Sequence, residues 1–151
     1  MKTWNVFAAL SVAAVAAGLS PAFALDIGQV KVARGVVYIE RAGQRLPVEV
    51  GSGVQPSDTV VTGADGSVGI TFTDNTMMSA GPNSNLAIDR FWFDSTTHAG
   101  AFETSVKRGT LSVVSGKIAK NSPDAMRVST PAAILGVRGT EFFVQIDETG
   151  P

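Results

Sequence analysis

The chain has no cysteine among its 151 residues, so disulfide and thiolate chemistry are closed to it. Histidine is nearly as scarce, with His98 alone in a Ser-Thr-Thr-His-Ala-Gly stretch. A zinc-type site would have to be built from carboxylates, which is uncommon, and a lone loop histidine reads as a solvated residue. No Gly-x-Ser-x-Gly elbow supplies His98 with a nucleophile, and the glycine patterns that cradle phosphates or dinucleotides are missing. Asp65 and Asp74 sit in turn-like settings where aspartate serves the backbone, without the ligand ladder of a calcium loop. The absence of a basic cluster argues against a nucleic-acid partner. These gaps point away from an enzyme and from any cofactor or metal.

One long apolar run is present, from Val6 to Leu19, behind Lys2 and ahead of the small-x-small triplet Ala22-Phe23-Ala24. That is the layout of a secretory signal. The run is shorter than the roughly 20 residues a spanning helix needs, so cleavage after Ala24 is expected, with no stable membrane insertion afterwards. With no cysteine behind the run, a lipid-anchored precursor is excluded. Residues 25–151 would then form the mature part, where removal of Lys2 from 12 basic residues leaves 11 against 13 acidic ones, a formal charge of −2. That length suits one domain.

Within residues 25–151, turn signals recur at short spacing: Ala42-Gly43, Gly51-Ser52-Gly53, Gly63-Ala64-Asp65-Gly66, Asp74-Asn75, Gly81-Pro82-Asn83 and Ser115-Gly116. The runs between them are too short for ordinary helices and rich in β-branched residues. Val68, Ile70 and Phe72 alternate with Gly69, Thr71 and Thr73, the clearest half-buried strand. An Arg-Gly step precedes a strand three times, at Arg34-Gly35, Arg108-Gly109 and Arg138-Gly139, a weak internal repeat. The expected fold is all-β, with many short strands in a solenoid-like or sandwich-like stack.

Two stretches could meet a partner. Phe91, Trp92 and Phe93 are consecutive, so both faces of an extended segment would carry a ring. Either they form an exposed aromatic edge for a protein or glycan, or one fills the core while the others lie under the 95–101 loop. The second stretch is Arg127 to Ile146. Pro131 holds Thr130 extended, and Gly136 and Gly139 bracket a turn or bulge. Beyond them Thr140, Phe142, Val144 and Ile146 share one strand face while Glu141, Phe143 and Gln145 share the other. Arg138 would point inward if that register ran back unbroken, which a stranded guanidinium makes costly. The turn is expected to free it for backbone carbonyls or a carboxylate, with partner contact as the other reading.

Thr130-Pro131-Ala132 followed by Val137-Arg138-Gly139-Thr140-Glu141-Phe142 resembles the signature of the FecR family of bacterial envelope proteins. Gly51 to Gly63, Asp74-Asn75-Thr76 with Gly81 to Leu86, and Val106 to Leu111 resemble further family segments in family order. The resemblance covers most of residues 28–146. It implies a periplasmic domain that, in full-length regulators, follows a cytoplasmic anti-sigma segment and one membrane span, and relays a receptor's signal. Here a signal peptide stands in their place, so a stand-alone module acting by protein–protein contact is expected, with a carbohydrate- or cell-wall-binding module as the alternative. Similar family members continue past the position of Ile146 with a closing strand. The edge at Thr140 to Ile146 is therefore expected to be open, ready for self-association by strand pairing or for an envelope partner.

Overall fold

In the computed structural model, which describes residues 25–137, 139 and 141–147, alternation of apolar and small polar residues sets the architecture. The described residues form twelve strands: β1 (Gly28–Arg34), β2 (Val37–Arg41), β3 (Gln44–Pro47), β4 (Gly53–Val54), β5 (Thr59–Thr62), β6 (Ser67–Phe72), β7 (Met77–Ala80), β8 (Asn85–Phe93), β9 (Gly100–Val114), β10 (Met126–Ser129), β11 (Ile134–Gly136) and β12 (Glu141–Ile146). One short helix, α1 (Lys117–Asn121), and a single 3-10 turn follow β9. The protein is all-β, as expected.

The strands make one curled sheet whose two faces close on each other. The front is ordered β4-β1-β6-β7-β9-β12 and the back β3-β2-β5-β8-β9-β10-β11, with the long β9 shared between them. Pairing is antiparallel except between β9 and β10. In β6, Val68, Ile70 and Phe72 point inward and are buried, as their spacing foretold. Phe72 of the front meets Phe91 and Phe102 of the back, with ring centroids 5.6 and 4.7 Å away. Phe102 also meets Phe91 edge-on at 5.0 Å. Offset and edge-on contacts suit the ring quadrupole.

The Arg-Gly steps mark where the chain changes sheet. Gly35 joins β1 of the front to β2 of the back, Gly109 lies inside β9 between its back and front halves, and Gly139 lies between β11 and β12. All three glycines have positive φ, at +61, +89 and +109°. At Gly109 the inward residues switch from even positions (Phe102, Thr104, Val106) to odd ones (Leu111, Val113). A strand that leaves one sheet for the facing one must change which side turns inward, and a glycine bulge permits it.

Hydroxyls stitch these corners together. Gly63 N–H donates to Val36 O at 2.9 Å and Asn83 N–H to Gly63 O at 3.0 Å. Thr62 Oγ1 donates to Gly81 O at 2.7 Å and accepts from Ser84 N–H at 2.9 Å. Ser84 Oγ donates to the same carbonyl at 2.8 Å and accepts from Thr110 N–H at 3.0 Å. A buried serine is here the replacement for ladder bonds that a corner cannot make.

Two buried carboxylates serve the same end. Asp74 accepts from Thr76 N–H, Thr76 Oγ1 and Ile118 N–H, fixing the β6–β7 turn against the start of α1. Asp58, also fully buried, takes a forked pair of bonds from Arg41 at 2.8 and 2.7 Å and one from Gln55 N–H at 2.8 Å. Asp74 thus does what its turn setting implied, whereas nothing in the sequence paired Arg41 with Asp58.

Candidate interaction surface

The two ends of the stack are finished differently. At one end β3 carries Gln44, Arg45 and Pro47, and β4 is only two residues long. Short strands, charge and proline are the usual protections of a sheet edge. At the other end, on the side of β9 away from β7 and β8, lie β11 and β12. Here Ile134 is 72%, Leu135 40% and Phe143 64% exposed, and no described strand pairs with the outer side of either.

The sequence motif builds this end. Thr130 closes the β10–β11 hairpin: its N–H donates to Ala133 O at 2.7 Å, and its Oγ1 accepts from Ala133 N–H at 3.1 Å. Pro131 sits in that turn, where a missing N–H is harmless. Val137 is buried, and its N–H reaches Met126 O at 3.4 Å. Gly139 O accepts from Ser115 Oγ at 3.1 Å, which ties the corner to the end of β9. Beyond it Phe142, Val144 and Ile146 face the core, while Glu141, Phe143 and Gln145 face outward, the division expected from their spacing. Arg138 and Thr140, also singled out by the motif, lie outside the described residues, as do residues 1–24, where a cleaved leader is expected.

The three consecutive rings separate. Phe91 is 8% exposed and belongs to the core, so as a contact residue it is corrected: its area is already spent on Phe72 and Phe102. Phe93 is partly buried and stacks on His98 with centroids 6.1 Å apart. Only Trp92, 46% exposed, presents its ring to solvent, on the outer face of the back sheet. Extended backbone sends neighbours to opposite faces, so three rings in a row do not make a three-ring platform. Met77, 48% exposed on the front face, and the Ile134-Leu135 pair were not singled out from sequence. The β10–β11 hairpin sets that pair at a sheet edge.

Little here resembles a reaction centre. His98 has φ +61° in a tight 94–99 loop, where its N–H donates to Asp94 O at 2.8 Å. Asp94 Oδ1 takes N–H bonds from Thr96 and Thr97, and these hold its carboxyl below the ordinary aspartate range, helped slightly by His98. No group of three or more His, Cys, Asp or Glu side chains among the described residues could hold a metal. A depression of about 380 Å³ lined by Asp26, Gln29, Lys31 and Thr73 is shallow and open. Among the described residues no helix is long and apolar enough to cross a membrane.

Comparison with known proteins agrees with the motif reading. The family model described as FecR protein matches residues 58–151, from the start of β5 onward. No curated protein and no solved structure matches. Strands β1 to β4 precede the matched span, yet Val30, Val37, Ile39 and Val54 are buried in the same core.

Proposed function

This chain belongs to the FecR family, and we propose that it is a non-catalytic periplasmic module that works by protein–protein contact in envelope signalling. The family match supports a regulatory signalling role in general terms. The observation that carries the finer reading is the asymmetry of the stack. One end is blunted by Arg45 and Pro47, while the other offers backbone with no described strand beside it, together with Ile134, Leu135 and Phe143. An apolar edge left unprotected is a docking site for an added strand, because the backbone supplies affinity and alternate side chains supply selectivity. The leader motif at residues 1–24 supports export, and the chain would then act on envelope partners from the periplasmic side.

A carbohydrate- or cell-wall-binding role draws less support, since Phe91 is internal and Phe93 is covered by His98. Capture from envelope extract separates the two. A stoichiometric protein partner that is lost on Phe143→Lys supports the contact reading. Retention on peptidoglycan or polysaccharide, lost on Trp92→Ala, would overturn it. Intact-mass measurement of the periplasmic form should give a chain starting at Leu25, and a mass retaining Met1 to Ala24 would refute export with cleavage.

A further inference from the structure

The ladder pattern tells which backbone groups of β12 have no strand partner among the described residues. Phe72 N–H donates to Thr76 O at 2.9 Å, so residues 72 and 76 form a directly bonded pair. Such pairs alternate with non-bonded ones in an antiparallel ladder. Carried across the registers, Met78 bonds to β6, while Met77 and Ser79 bond to Val114 and Ser112 of β9. Val113 and Leu111 are then left to bond Phe142 and Val144. The N–H and C=O groups of Glu141, Phe143 and Gln145 therefore point to the outer edge, and the same three residues carry the outward-facing side chains.

We propose that this edge pairs with the same edge of a second copy, antiparallel, about a two-fold axis at Phe143. The proposal deepens the protein-contact reading and rests on it. In this register Phe143 lies opposite Phe143 of the second copy, and Glu141 lies opposite Gln145 of the second copy. Each of these pairs brings backbone donors with no described partner opposite matching acceptors, and the Gln145 amide, one of whose hydrogens goes to Asp147 Oδ1 at 3.0 Å, has a second for the Glu141 carboxylate. A register centred on Glu141 would oppose two carboxylates. One centred on Gln145 would set Phe143 against Asp147. The strand contains neither lysine nor proline, the residues that most often prevent such pairing. A two-fold contact also closes after two copies, so the edge would be consumed without building a fibre.

Sedimentation of the purified chain from about 1 μM to about 1 mM tests this, since a contact of one short strand falls at the weak end of interfaces. A monomer–dimer equilibrium is expected, and a monomer throughout overturns the proposal. Gln145→Glu puts like charges opposite each other twice and should weaken the dimer about two- to thirtyfold. Adding Glu141→Lys should restore it. A dimer indifferent to both changes, and to Phe143→Lys, overturns the register. Circular dichroism and thermal midpoints near the parent's keep these results attributable to association. A monomer that still captures a stoichiometric envelope protein overturns the dimer and leaves the contact reading standing. A normal dimer retained only on peptidoglycan overturns that reading and not the dimer.

Discussion

Alanine placed at Gly109 and at Gly139 separates two reasons for needing glycine. Both positions have positive φ, +89 and +109°, so an alanine at either is strained by about 1–3 kcal/mol. Their surroundings differ. A Cβ on Gly139 would meet nothing within 4 Å, whereas one on Gly109 would come within 3.0 Å of Ser84 Cα, Cβ and Oγ. Ser84 cannot retreat, because its hydroxyl bridges Gly81 O and Thr110 N–H and its own N–H is bound to Thr62. Relief would break buried hydrogen bonds at about 1–3 kcal/mol each when left unsatisfied. We therefore expect Gly109→Ala to cost about 3–5 kcal/mol in all, and Gly139→Ala about 1–2 kcal/mol. With a urea slope of about 1–3 kcal/mol/M, that difference of about 1–4 kcal/mol should put the Gly109→Ala midpoint about 0.3–4 M below the Gly139→Ala midpoint, with slopes unchanged. Coincident midpoints, or a lower one for Gly139→Ala, would refute the idea that the hydroxyl-stitched corner is the rigid part of the stack.

Arg41→Met should destabilise the protein by about 2–3 kcal/mol in thermal unfolding, below the 3–5 typical of a broken buried pair because the Arg41 side chain keeps 31% exposure. A loss under about 0.5 kcal/mol would show that Asp58 finds enough support from Gln55 alone. Phe102→Ala should cost about 3–5 kcal/mol, and Trp92→Ala under about 1, since Phe102 is fully buried between Phe72 and Phe91 while Trp92 is 46% exposed. Similar losses for the two would refute that assignment of the rings. An NMR titration should place the Asp94 carboxyl below the ordinary aspartate value of about 3.9. Because its folded value is depressed, its support of the 94–99 loop is present above that range and lost as pH falls through the folded value; an ordinary midpoint would show the Thr96 and Thr97 bonds are not held in solution.

How much was legible depended on the range of the interaction. Alternation in Ser67–Phe72 and Glu141–Ile146 is a property of neighbouring residues, so strand type and inward face could be read directly and agree with the burial found. Asp74 was readable for the same reason, since its first partner is Thr76 two residues away. The Arg-Gly repeat was visible too, but only as a repeat. Its meaning, a passage between sheets, needed the knowledge of which strands lie in which sheet.

The sequence by itself determined the β class, the turn positions, the two faces of the last strand and the family, because each rests on local backbone preference or on residues close in the chain. Outside the alternating strands β6 and β12, the tertiary structure decided which apolar residues are core and which are surface. Phe91 and Trp92 are adjacent and chemically alike, yet one is 8% and the other 46% exposed. Ile134 and Leu135, which no spacing singled out, lie on an edge, while Arg41 and Asp58, 17 residues apart, form a pair that no spacing announced. In each case the outcome depends on what the fold brings from a distance to lie against a side chain, and burial is a property of that meeting rather than of the residue.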